Sequence, residues 1–177
     1  MTRKLARLCA LALSLLFCFS LTGCDKKPSE AAKTDAAEAF LNEFFRFNHQ
    51  ERYKIVSDPA AADGPDGTGE GPVPLSEQQR QAYEAYYLPY ADLATPDCIA
   101  AMRANRLPLK YDKLAAQEGV SAQVGGIRCE TLDETTFAFE VSFDGSGTAE
   151  WLQSPVNGRL TMEIVDGRPL VSSISIH

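Results

Sequence analysis

Histidine is almost missing from this chain of 177 residues, which has only His49 and the terminal His177. A zinc site takes three or four nitrogen or sulfur ligands, and a hydrolytic triad needs a histidine beside its nucleophile, so both chemistries are disfavoured. Cysteine is scarce too: there are five, and no two stand in the Cys-x-x-Cys spacing of a redox motif or zinc knuckle. Basic residues number 17 against 24 acidic ones. Nucleic-acid binding relies on clustered Lys and Arg, so no nucleic-acid partner is expected. Nor is there an apolar run of the ~20 residues that a membrane-spanning helix needs. The run from Leu8 to Leu21 has 14.

That short run is nevertheless the most informative stretch present. Arg3, Lys4 and Arg7 precede it, and the small residues Ser20, Thr22 and Gly23 close it, which is the three-part pattern of a secretory signal. The residues Leu21-Thr22-Gly23-Cys24 resemble the lipobox of bacterial lipoproteins. The resemblance implies cleavage before Cys24 and a diacylglycerol thioether on its sulfur, and two acyl chains hold a protein stably on a membrane. The rival readings are an ordinary signal peptide with an unrelated cysteine, or an uncleaved anchor. Asp25 resembles the inner-membrane retention signal of some Gram-negative lipoproteins. Without residues 1–23, which hold three basic residues and no acid, 14 basic residues face 24 acidic ones, a net charge of −10. So acidic a domain is expected to stand off anionic lipid headgroups.

Cys9 and Cys18 leave with the signal, so Cys98 and Cys129 remain as a candidate disulfide pair in an exported chain. The bridge would close a loop of about thirty residues and stabilise by ~3–4 kcal/mol. The competing reading is two small buried hydrophobes.

Residues 24–34 form the lipidated cysteine and a polar tether, and residues 35–177 a single domain. Asp35 with Glu38 has capping-box spacing. Ala37, Phe40, Leu41, Phe44 and Phe45 then recur at threes and fours, which predicts an amphipathic helix from Thr34 or Asp35 to about Val56. Residues 57–74 are rich in Gly and Pro and predict a mobile loop. Its Asp63, Asp66 and Glu70 lack the spacing of a calcium loop, so no metal or other cofactor is expected. Ser76 with Gln79 opens a second helix, which Pro89 ends. Tyr83, Tyr86, Tyr87 and Tyr90 share one broad face of it, either as a core edge with satisfied hydroxyls or, with Tyr111, as the lining of a pocket. Thr95-Pro96 starts a third helix that turns Cys98, Ile99 and Met102 inward, and Leu109 to Gln117 makes a fourth that stops at Gly119.

Beyond Gly119 the chain predicts strands at Val120–Thr131, Thr135–Phe143, Gly158–Val165 and Arg168–Ile176, with Trp151-Leu152 as a further short segment. Phe137, Phe139, Val141 and Phe143 alternate with smaller or polar residues, so one sheet face is dry and the sheet is antiparallel. Parity predicts a three-residue turn at Asp133–Thr135 that sets Cys129 opposite Phe139. It also predicts a three-residue loop of Val165, Asp166 and Gly167 that sets Leu170 opposite Met162.

The fold class is therefore α+β, with N-terminal helices on one face of a twisted antiparallel sheet. The first-helix run Ala37-Glu38-Ala39-Phe40-Leu41-Asn42-Glu43-Phe44-Phe45 and the late pair joined through Ile164-Val165-Asp166-Gly167-Arg168 resemble the cone-shaped nuclear-transport-factor-two-like fold of ketosteroid isomerase. A cystatin-like helix on a sheet is the alternative. Three classes of function are open, the first carried by the lipid anchor, the aromatic-rich helices and the lack of a catalytic constellation, and the other two implied by the resemblance. One is a non-enzymatic lipoprotein of the cell envelope that binds a protein partner or small ligand. Another is a structural part of an envelope or conjugation assembly. The third is an isomerase or dehydratase with a pocket carboxylate, Asp92 or Asp112, and an acid from Tyr86, Tyr90 or Tyr111.

Overall fold

A computed structural model describes residues 27–46, 76–118, 121–146 and 153–177. Among the described residues four α-helices precede four strands: α1 (Glu30–Phe44), α2 (Glu77–Tyr87), α3 (Pro96–Ala104), α4 (Leu109–Glu118), β1 (Ser121–Thr131), β2 (Thr136–Ser146), β3 (Val156–Val165) and β4 (Arg168–Ile176). A 3-10 turn, η1 (Leu88–Asp92), follows α2. The sheet is an antiparallel meander in the order β1-β2-β3-β4. Helices and sheet share one core, as the α+β reading expects.

Helix α1 starts earlier than the Asp35–Glu38 spacing suggests. Ser29 is its N-cap and accepts a hydrogen bond from the Ala32 backbone N–H, so residues 30–34 are helical rather than tether. The helix ends at Phe44, not Val56, and the expected loop at 57–74 lies outside the described residues, as do Gly119 and Trp151-Leu152. Over ~22 Å, α1 buries Ala37, Phe40, Leu41 and Phe44 and touches both edge strands, β1 and β4. Phe45, at its C-terminus, is fully buried among Phe44, Tyr111, Phe139 and Phe143, at ring-centroid distances of 4.9, 5.2, 6.4 and 5.5 Å. The helix N-terminus is tied to the β1–β2 hairpin, where the Lys33 ammonium donates to the Glu134 carbonyl and Lys27 pairs with the Glu134 carboxylate at 2.8 Å.

The capping box at Ser76 is present in full, with Gln79 Oε1 accepting from the Ser76 N–H at 2.8 Å and Ser76 Oγ from the Gln79 N–H at 3.2 Å. Thr95 caps α3 through the Cys98 N–H. The segment before α3 closes the free edge of β4. The Val171 N–H donates to Leu93 O at 3.0 Å, and the Thr95 N–H to Val171 O at 2.9 Å.

The two hairpins answer the parity argument differently. Cys129 stands opposite Phe139, as expected, and Asp133–Thr135 form the turn. The Asp133 carboxylate accepts from the Thr135 and Thr136 N–H groups, both at 2.8 Å, and these bonds lower its pKa. In the second hairpin Val165 pairs with Arg168 and Leu170 with Glu163, so the loop has two residues, not three. Asp166 (φ 51°) and Gly167 (φ 77°) both take left-handed conformations, which match the right-handed twist of the flanking strands. The parity conflict is resolved inside the strand. The register shifts between Thr161 and Met162, Ser172 is the extra residue, and the fully buried side chain is Val171 rather than Leu170.

Gly158 is a point of close approach. A Cβ there would meet the Ser175 carbonyl oxygen and lie 2.5 Å from the Phe139 ring. Gly158→Ala should therefore destabilise by about 1–3 kcal/mol through overpacking, read as a fall in the urea midpoint. An unchanged midpoint would show that β3 and β4 part locally at no cost, since movement of Phe139 alone leaves the contact with the Ser175 carbonyl.

Candidate functional site

The tyrosines of α2 and η1 are a core edge. Tyr86, Tyr87 and Tyr90 are fully buried, and Tyr83 is half-buried against them. Their rings meet edge-on, Tyr83 to Tyr87 at 5.2 Å and Tyr86 to Tyr87 at 5.1 Å, and Tyr90 packs against Phe40 at 5.7 Å. Burying four phenols requires four acceptors. Tyr83 donates to Arg103 O at 2.6 Å, Tyr87 to Leu107 O at 2.7 Å and Tyr90 to Glu43 O at 3.2 Å. These three hydroxyls pin α2 and η1 to backbone carbonyls of α3, the α3–α4 turn and α1. Burial raises the pKa of each of the three buried phenols. Tyr111 is remote from that row, with its ring between Phe44 and Phe45.

The fourth acceptor is a carboxylate. Tyr86 donates to Asp112 Oδ2, joining α2 to α4 through the interior. Asp112 is 3 % exposed, and burial pushes its pKa up from 3.8 to about 6, while the bond from Tyr86 pulls the other way. Two residues named separately from sequence as acid and base thus form one pair. Asp92 stands apart from it, exposed, with Arg168 Nη2 at 3.6 Å from its carboxylate and 3.1 Å from its carbonyl.

A carboxyl that titrates near neutrality beside a phenol can exchange a proton, which is the kit of an isomerase. Catalysis also needs a path for substrate, and both partners lie within the helical layer. One concavity formed by described residues is an open groove along α2, lined by Glu77, Arg80, Gln81, Tyr83 and Glu84. Among the described residues no three His, Cys, Asp or Glu side chains cluster as metal ligands. His49, Asp63, Asp66 and Glu70 lie outside them, as does Cys24.

Cys98 and Cys129 are both free thiols. Helix α3 carries Cys98 against the β4 edge, with Met102 Sδ 4.0 Å from its sulfur, whereas Cys129 is on β1 at the opposite edge. Three strand spacings of ~4.8 Å separate those edges, well beyond the reach of a disulfide. Burial raises both thiols to about 11, so neither is a ready nucleophile.

Comparison of the chain with protein-family models, with curated proteins and with solved structures finds no match.

Proposed function

We infer that the protein is an extracytoplasmic lipoprotein, held on a membrane through diacylated Cys24, whose folded part binds a protein partner or small ligand without converting it. The observation that carries the reading is the sequence Leu21-Thr22-Gly23-Cys24 after a charged start and a 14-residue apolar core. The site geometry supports a non-catalytic role, because the tyrosine hydroxyls are spent on structural acceptors and Asp112 is buried with Tyr86 bonded to it. The element order, one long helix and then shorter helices before a four-stranded meander, supports the nuclear-transport-factor-two-like resemblance. The isomerase reading rests on the Tyr86–Asp112 pair and requires substrate to reach a buried carboxyl.

Cys24→Ala should abolish incorporation of an alkynyl fatty acid and move the protein from the membrane to the soluble fraction. Retention of the label in the variant would overturn the lipoprotein reading. Native mass spectrometry of the wild type purified from its host then tests for binding: a stoichiometric co-purified ligand or partner supports the module, and turnover of that ligand that is lost in Asp112→Asn overturns its non-enzymatic character.

A further inference from the structure

A meander places alternate turns at the same end of its sheet, so the β1–β2 and β3–β4 hairpins project together. The Met162 N–H donates to Thr135 O at 2.8 Å, which holds the β1–β2 tip against the flank of β3, four residues before the Asp166-Gly167 turn. Each carries an exposed large hydrophobe, Leu132 on one and Ile164 on the other, 47 % and 40 % exposed. They are two of the three such residues among those described, the third being Leu88 in η1. Neither residue belongs to the buried core, so neither contributes to the fold by full burial.

The chain enters at this same end. Lys27 pairs with Glu134 in the β1–β2 turn, and α1 starts only three residues later. Between Cys24 and Lys27 the chain reaches at most about 11 Å even when fully extended. A domain attached that closely cannot stand off its anchor. The hairpin end must sit within one headgroup layer of the attachment point, since interfacial side chains enter ~5–10 Å into the headgroup and acyl boundary.

We propose that the paired tips of the β1–β2 and β3–β4 hairpins form a bilayer-facing end of the domain, with Leu132 and Ile164 entering the interface of the membrane that holds Cys24. This rests on lipidation of Cys24. The occupant is a zwitterionic lipid surface. The tips carry the acids Asp133 and Asp166 beside the ion-paired Lys27–Glu134 and Arg168–Asp92, a mixture that an anionic surface would repel. The anchor provides the affinity and the tips set the orientation. In consequence, the opposite end of the sheet points away from the membrane.

The test uses the full-length lipidated protein in phosphatidylcholine–phosphatidylethanolamine vesicles, with Cys98 and Cys129 replaced by Ala. A fluorophore is placed at Leu132→Cys, Ile164→Cys or Gln123→Cys, the last being exposed on β1 about 30 Å from the first tip. Flotation of the vesicles reads the anchor separately from the orientation. Lipid-attached quenchers should quench the two tip positions severalfold more than Gln123, and a twelve-residue Gly-Ser insertion after Lys26 should reduce that contrast. Flotation with equal quenching at all three positions would sink the orientation while leaving the lipoprotein reading intact. Failure to float would remove both.

Discussion

Phe45→Ala should cost the fold about 3–5 kcal/mol, because it removes a fully buried ring that four other rings close upon. The ring joins α1 to α4 through Tyr111 and to β2 through Phe139 and Phe143, so three elements lose a shared neighbour at once. A loss of that size is a large part of the 5–15 kcal/mol that holds a typical domain together, and corresponds to a drop in Tm on the order of 10–20 °C. Thermal unfolding followed by circular dichroism reads it directly. Phe45→Leu, which refills part of the volume, should recover more than half of the loss. If Phe45→Ala melted within a few degrees of wild type, the aromatic cluster would not be the centre of the fold.

Stability should also fall as pH rises from about 4 to 7, and Asp112 is the reason. In the folded protein its carboxyl holds the proton up to about 6, against 3.8 when unfolded. Below 3.8 both states are protonated and the group exerts no effect. Between the two values the unfolded chain ionises first, so unfolding gains free energy with each step in pH. Above 6 the folded state carries the full burden of a buried charge, on the order of 3 kcal/mol from a shift of about two pH units. Asp112→Asn keeps an oxygen to accept from Tyr86 and has no charge, so its stability should exceed that of wild type at pH 7 and match it near pH 4. Asp133 and Glu134, whose pKa values are lowered, titrate with the opposite sign and are present in both proteins. The difference between the two curves therefore isolates Asp112. Tyr86→Phe, which removes the bond that favours the ionised form, should move the window to higher pH. Parallel wild-type and Asp112→Asn curves would refute the account.

Local pattern encodes much of the fold. Ser76 with Gln79, Thr95 before Pro96, and the alternation from Phe137 to Phe143 each specify an element within a few residues, and the structure has all three. Where pattern and structure part, the cause is shared: two local solutions are available and a distant contact chooses between them. Asp35-x-x-Glu38 imitates a helix start, yet Ser29 is the cap, and the turn it adds carries Lys33 to the Glu134 carbonyl. The parity mismatch that a three-residue loop at Val165–Gly167 would absorb is taken up by a bulge at Ser172 instead, since a two-residue turn suits the strand twist better. Candidate site residues are the least legible. Tyr86 and Asp112 are 26 positions apart, and nothing in either segment announces that they meet. The same holds for Cys98 and Cys129, whose separation on opposite sheet edges follows only from strand order.

Helix α1 rests on both β1 and β4, so the first of the described elements to be synthesised has its last partner at the other end of the described fold. Residues 93–95 wait as well, for Val171 to accept and donate the bonds that close the sheet edge. A chain that emerges from its N-terminus therefore cannot complete the packing of α1 until β4 is out, because contacts of such long sequence separation form late. Vectorial delivery and topology together leave this fold unfinished until its last strand arrives, so a premature stop before Arg168 leaves one flank of α1 and the backbone of residues 93–95 without their partner strand.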